Sequence, residues 1–77
     1  MNEKELITRL KRNEEAAFRE LVEVFQDKVF NTAIGMLQKS TDAEDIAQEV
    51  FIQVYKSIAD FKENAALSTW IYRITVT

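Results

Sequence analysis

Apolar side chains recur at helical spacing through the middle of the chain, and no proline interrupts them. The members of this stripe are Phe18, Leu21, Val22, Phe25, Val29, Ala33 and Met36. Residues three and four apart share one face of an α-helix. The 77-residue sequence contains no Pro and only one Gly, which argues against a turn-rich β fold. We therefore expect a compact all-α domain of three to four helices.

Shorter patterns predict the helices around this stripe. A first helix is expected from about Glu3 to Lys11, and Asn13 is expected to cap the long second helix, which runs to about Leu37. Thr41 followed by Glu44 fits a capping box at the start of a third helix. Its predicted inward stripe is Ala43, Ala47, Val50, Val54, Ile58 and Phe61.

The stretch from Asp60 to about Asn64 lacks periodicity and is predicted to be a loop. A fourth helix follows, with an inward face of Leu67, Trp70, Ile71 and Ile74. We expect four side chains near the core to be largely buried, namely Val50, Phe51, Val54 and Trp70. The fourth helix has no stop signal before Thr77, so we expect residues 1–77 to be one domain that is truncated within this helix.

The residue types exclude several kinds of protein. The chain has no Cys and no His, which removes disulfides, zinc fingers, Cys or His nucleophiles and a His general base. These absences disfavour an enzyme, and we expect no catalytic residue, no metal and no cofactor. No run of about 18 apolar residues is present, and the N-terminus is charged, so we expect a cytoplasmic protein without membrane insertion.

Negative charge is concentrated in one segment of the chain. From Met1 to Lys39, seven basic and seven acidic residues cancel. From Ser40 to Phe61, one Lys faces five acids, a net charge of −4, whereas residues 62–77 carry +1. We expect the acidic segment to face a basic partner and a nucleic-acid surface, if there is one, to lie elsewhere.

The third helix has an anomalous outer face. At about 100° per residue, Ile52 falls opposite the inward stripe, with Asp45, Gln48, Glu49 and Lys56 around it. Single exposed apolar residues are common, so this face can simply be solvated. The alternative is an apolar anchor with a polar rim, as in a small protein–protein interface. A metal or acid–base site is disfavoured, because the pair Asp45 and Glu49 has no third ligand nearby.

The loop and fourth helix mix aromatic and hydrogen-bonding side chains. Single-stranded DNA is bound by such mixtures, through base stacking, amide and hydroxyl edges, and cations for phosphates. Phe61 and Trp70 fall on inward faces, however, and are more often core residues than stacking platforms. Ser68 and Thr69 can be ordinary residues of a first helical turn.

The third and fourth helices resemble regions 2.2 and 2.3–2.4 of extracytoplasmic-function sigma factors, which belong to the sigma-70 family of bacterial RNA polymerase. The residues that carry this resemblance are DAEDIAQEVFIQVYKSI (Asp42 to Ile58), Phe61 and STWIYRI (Ser68 to Ile74). The preceding helix of the family resembles EEAAFRELVEVFQDKVFNTAIGML (Glu14 to Leu37). The motif of the third helix and the motif of the fourth helix, at this distance from each other, indicate the family more specifically than either motif alone.

The resemblance implies two binding surfaces of a sigma region 2 domain. Family region 2.2 docks on the β′ clamp helices of core polymerase, and the matching positions are Asp45, Gln48, Glu49, Ile52 and Gln53. The family's loop before the last helix holds a flipped base of the melted −10 non-template strand, and the helix contacts the −10 region. The matching DNA-binding positions are Lys62, Asn64, Thr69, Trp70, Arg73 and Thr77, and Glu63 lies in the same loop.

The resemblance also implies limits and alternatives. Family members often read Ala-x-Asn after YRI, where this chain has Thr75, Val76 and Thr77, which puts the base preference there in doubt. The remainder of region 2.4 and the −35-reading region 4 are absent from this sequence, so we expect weak DNA binding by the chain alone. An anti-sigma factor is a further expected partner. The rival hypotheses are a sigma-like regulator or decoy without DNA recognition, and a small enzyme.

Overall fold

The structure is a computed structural model that describes residues 2–37 and 40–76. Its four α-helices are α1 (Glu3–Lys11), α2 (Glu15–Leu37), α3 (Ser40–Ser57) and α4 (Leu67–Val76), and a short 3-10 helix (Ile58–Asp60) follows α3. No strand occurs in the described ranges. The all-α prediction is confirmed, and so are the predicted bounds of the first helix and the end of the second.

The core lies around α2, which contacts α1, α3 and α4. Leu21, Phe25 and Val29 of α2 are at most 4% exposed, and they belong to one cluster with buried residues of the other elements. A long helix with three neighbours needs a wide apolar face, which its sequence supplies. Every other element is therefore positioned by its contact with α2 or with a helix that packs on α2.

Burial differs among the residues that the sequence pattern placed near the core. Val50 and Val54 are buried, as predicted, at 4% and 0% exposure. Phe51 and Trp70 are partly buried and pack against the core cluster, so the prediction that they are largely buried is confirmed only in part. Met36 belongs to the apolar stripe of α2 in the sequence but is 52% exposed. Helical spacing identifies a face, and it does not tell how far along that face the neighbouring helices extend.

Asn13 ends α1 instead of capping α2, which corrects the sequence prediction. Its φ is 61°, in the left-handed region, and its N–H donates to the Leu10 carbonyl over 2.9 Å. The N–H of Glu14 donates to the Arg9 carbonyl over 3.2 Å. This pair of bonds is a Schellman motif, in which Asn is an accepted replacement for Gly.

Side-chain hydrogen bonds to Glu20 and then to Glu14 raise the pKa of Arg9 and join α1 to the start of α2.

The predicted capping box at the third helix was also wrong. α3 already includes Ser40, so Thr41 lies inside the first turn and does not occupy the N-cap position. An N-cap residue has non-helical backbone angles, and a residue within the helix cannot fill that role. The pattern located the helix but misplaced its first residue.

The left-handed conformation of Asn13 gives a stability prediction. Asn13→Ala should lower the free energy of unfolding by about 1 kcal/mol, because a Cβ without a local hydrogen-bonding group is disfavoured at positive φ. Asn13→Gly should be neutral or stabilising. Chemical denaturation measures both changes.

Asn31→Ala is the matched control, because Asn31 is an exposed residue within α2. Alanine has the higher helix propensity, so this change should be neutral or stabilising. Equal losses for Asn13→Ala and Asn31→Ala would contradict the role assigned to Asn13.

Candidate functional site

The outer face of α3 presents the residues that the sequence assigned to polymerase binding. All five are exposed, namely Asp45, Gln48, Glu49, Ile52 and Gln53. Ile52 is 49% exposed, which confirms that it points away from the core. The Gln53 amide Nε2 donates to the Ser57 Oγ over 2.6 Å. These five residues therefore form an acidic and amide-rich surface around one apolar side chain, that of Ile52.

A second large side chain on this face was missed by the sequence analysis. Tyr55 is 55% exposed and lies three residues after Ile52, so the two are neighbours on the helix surface. The Tyr55 ring meets Phe18 of α2 edge-on, with 4.8 Å between ring centroids. The spacing from Ile52 was the signal that could have identified it. The apolar part of the outer face is thus wider than a single side chain.

The groove between α3 and α4 joins the two predicted binding surfaces. Glu49 and Gln53 line it from α3, and Trp70 and Arg73 line it from α4. Its volume is about 520 Å³. The sequence assigned the first pair to polymerase and the second pair to DNA. In the folded chain these residues border one continuous depression.

The segment between the 3-10 helix and α4, residues 61–66, is the DNA-recognition loop proposed by the resemblance. Lys62 and Asn64 are both exposed there. Glu63 has a φ of 57°, which is uncommon for a residue with a side chain. Since α4 begins at Leu67, Asn64 lies too early in the chain to be its N-cap. Asn64 is therefore a residue of the loop itself, and the predicted loop extends two residues further than expected.

Both ends of this loop are hydrogen-bonded to α1. At the start, Lys11 Nζ donates to the Phe61 carbonyl over 2.7 Å. At the end, the Leu67 N–H donates to Glu3 Oε2 over 3.2 Å. The partners are 50 and 64 residues apart in sequence. Spacing patterns cannot reveal contacts at such separation, and the sequence analysis gave Glu3 and Lys11 no role.

The aromatic residues flanking the loop form a tilted pair. The rings of Phe61 and Trp70 have centroids 4.8 Å apart and planes inclined by 32°. Phe61 is 4% exposed and is a core residue, whereas Trp70 is partly buried and borders the α3–α4 groove. Trp70 therefore has one partner in the core and a remaining surface towards the groove.

The other predicted DNA-binding residues lie along α4. Thr69 and Arg73 are exposed, and Thr69 is in the first turn of the helix. Thr77 lies outside the described residues. Thr69 lines a different groove from Arg73, of about 530 Å³ between α2 and α4, together with Lys28 and Tyr72. The structure thus groups Trp70 with Arg73 and places Thr69 in a different groove.

Residues 2–37 and 40–76 contain neither a candidate metal site nor a helix that could span a membrane. Within these ranges, no three His, Cys, Asp or Glu side chains are grouped so that they could hold a metal ion. No helix in the same ranges has the length and apolar character needed to cross a membrane.

Comparison with known proteins identifies the relatives of this chain. The Sigma-70 region 2 family matches residues 21–77. The ECF RNA polymerase sigma factor SigW of Bacillus subtilis (strain 168) is 41% identical over 71 residues, covering 92% of this chain and 38% of that protein. The ECF RNA polymerase sigma-E factor of Escherichia coli (strain K12) is 35% identical, covering 92% of this chain and 37% of its own length. The chain therefore spans less than half the length of these relatives.

A solved structure agrees with the sequence relatives. An engineered region 2 of sigmaE, determined by NMR in complex with GTAAAA, superposes with a TM-score of 0.89 and 34% identity. The match covers 99% of this chain and 79% of that one. The chain belongs to the Sigma-70 region 2 family, as the region 2 domain of an extracytoplasmic-function sigma factor.

Proposed function

We propose that this domain binds the β′ clamp helices of core RNA polymerase and recognises the melted promoter −10 element during transcription initiation. The observation that carries the proposal is the match to a region 2 of sigmaE solved in complex with GTAAAA. Sigma factors are not enzymes, in agreement with the sequence prediction, and the polymerase supplies the catalysis. The domain would act with polymerase in the cytoplasm.

Polymerase binding is assigned to the outer face of α3. Ile52 supplies an exposed apolar anchor, and Asp45, Gln48 and Glu49 supply a polar rim. The segment from residue 40 to 61 carries a net charge of −4, which complements a basic partner surface. An exposed apolar side chain within a charged rim is typical of a protein–protein interface. This arrangement favours a protein partner over the interpretation that the face is only solvated.

DNA recognition is assigned to the loop of residues 61–66 and to α4. Lys62 offers a cation to phosphate, and the Asn64 amide offers both a donor and an acceptor to a base edge. Trp70 is held against Phe61 and borders the groove with Arg73. A site that binds an unstacked base better than a paired one favours the melted promoter by mass action.

The rival hypothesis is a sigma-like regulator or decoy that binds protein partners without recognising DNA. Titration with single-stranded −10 DNA, in parallel with core polymerase, separates the two functions. Binding of polymerase without binding of DNA would favour the rival. An anti-sigma factor remains an expected partner under either hypothesis, because it would compete for the same exposed surfaces.

Charge reversal on α3 tests the polymerase surface. Glu49→Lys should weaken binding to core polymerase roughly thirtyfold, the factor that corresponds to about 2 kcal/mol for a charge pair at an interface. The free energy of unfolding should change by less than about 0.5 kcal/mol, because Glu49 is exposed. Glu49 borders a groove with Arg73, which is assigned to DNA binding, so a lysine at position 49 would also act on bound DNA. Binding to core polymerase is therefore measured without promoter DNA.

The matched control is Glu23→Lys, which makes the same charge change at an exposed position on α2. This variant should bind polymerase nearly as well as the unchanged protein. Equal binding by both variants, with unchanged thermal melts, would mean that the acidic face of α3 is only solvated.

Two substitutions in the loop should differ in kind. Lys62→Ala should weaken binding to all −10 variants about equally and reduce the slope of affinity against salt concentration by about one unit. Asn64→Ala should change which −10 base is preferred, with discrimination at one position falling by roughly 1–3 kcal/mol. Competition binding across all four bases at each −10 position measures both effects.

Lys4→Ala is the control for the loss of one positive charge, because Lys4 is exposed on α1. It should leave both the affinity and the salt slope nearly unchanged. A uniform loss of affinity for Asn64→Ala, accompanied by a lower melting temperature, would remove Asn64 from the recognition site.

A further inference from the structure

Two side chains of α1 hold the two ends of the DNA-recognition loop, and the proposed function gives them no role. Lys11 hydrogen-bonds the Phe61 carbonyl at the loop's start, and Glu3 hydrogen-bonds the Leu67 N–H at its end. We propose that Glu3 and Lys11 are positioning residues that determine base discrimination by holding the loop in its recognition geometry. This proposal rests on the proposed function of the loop.

The loop needs external support because it has little of its own. Its residues 62–64 are exposed, and it contains neither Gly nor Pro to favour its turn. Glu63 occupies the left-handed region at a φ of 57°, which costs free energy for a residue with a side chain. Such a conformation persists only where the surrounding structure fixes it. Hydrogen bonds at both ends restrict the conformations that the loop can adopt.

The bond from Lys11 fixes the direction in which the chain enters the loop. The Phe61 carbonyl and the Lys62 N–H belong to one planar peptide unit. Holding that carbonyl at 2.7 Å from the Lys11 ammonium therefore orients the first peptide of the loop. The Phe61 ring is already buried and paired with Trp70, so side chain and carbonyl of this residue are both held.

The bond to Glu3 fixes the point at which α4 begins. The first N–H groups of a helix have no partner within the helix and are usually capped by the side chain of the preceding residue. Ala66 precedes α4 and has no acceptor in its side chain. The Glu3 carboxylate reaches from another helix and accepts from one of these unpartnered groups, the Leu67 N–H. A hydrogen bond to a carboxylate is stronger than one to a neutral acceptor.

α1 is a stiff support for both bonds. Leu6, Ile7 and Leu10 are buried in the core, and the Asn2 side chain caps the helix by accepting from the Glu5 N–H over 3.1 Å. Glu3 and Lys11 are the first and last residues of this helix, which places them about 12 Å apart along its axis. Both anchors therefore come from one rigid helix, so their backbone positions are fixed relative to each other.

The test compares removal of each anchor with removal of the same charge elsewhere on α1. The variants are Lys11→Met, Glu3→Ala and Glu3→Gln, and the controls are Lys4→Met and Glu5→Ala, at exposed positions of the same helix. The probe is a set of fluorescent single-stranded oligonucleotides consisting of GTAAAA and its single-base variants. Affinities are measured at several salt concentrations, and hydrogen exchange is followed at the Leu67 N–H.

Lys11→Met and Glu3→Ala should each lower the ratio between preferred and changed bases about fivefold, the factor for a lost hydrogen bond of about 1 kcal/mol. The salt slope should stay the same, because neither residue is expected to touch phosphate. Glu3→Ala should speed exchange of the Leu67 N–H, and Glu3→Gln should largely restore both properties, because its amide oxygen still accepts. The two controls should behave as the unchanged protein.

Three results would overturn the proposal, and they are distinguishable. A uniform loss of affinity with a shallower salt slope for Lys11→Met would make Lys11 a phosphate contact. Unchanged discrimination in both anchor variants, with altered discrimination in Asn64→Ala, would refute positioning by α1 and leave the proposed function intact. Equal binding of all oligonucleotides by the unchanged protein would refute the proposed function of the loop and the proposal together.

Discussion

Burial of the apolar face of α2 is the interaction on which the rest of the domain depends. Leu21, Phe25 and Val29 belong to one buried cluster, and α2 contacts the three other α-helices. A chain of this size has room for one such core. Burying this face gives α1, α3 and α4 their places and leaves the outer sides of α3 and α4 uncovered. The surfaces proposed to bind polymerase and DNA are therefore the surfaces that the packing around α2 does not use.

The two proposed surfaces are adjacent instead of opposite. Glu49 and Gln53 face Trp70 and Arg73 across one groove, so an event on either helix changes the surroundings of the other. A carboxylate in this position is unfavourable for a nearby phosphate and favourable for a basic protein surface. If a basic surface of polymerase covers Glu49, it offsets the negative charge of that carboxylate. The electrostatic potential at Arg73 then becomes more positive. Binding of polymerase and binding of DNA are then expected to support each other.

Helical spacing predicted the number of helices, the bounds of α1 and the exposure of Ile52, because each follows from the geometry of one helix. Helix caps were predicted less well, since Asn13 can end one helix or begin the next, and only the backbone decides between them. The degree of burial of Phe51, Trp70 and Met36 depends on where neighbouring helices stop. The bonds of Glu3 and Lys11 to the loop depend on the whole fold, because their partners are distant in sequence.

The chain contains a single tryptophan, and its position in the fold makes its intrinsic fluorescence a probe of binding. Trp70 rests on the buried Phe61 with part of its surface open to the α3–α4 groove. The emission of an indole responds to the polarity around it, so ligands arriving from either side of the groove should change its intrinsic fluorescence. The wild-type protein thus carries its own reporter at the boundary between its two surfaces, and association can be followed in real time without attaching a dye.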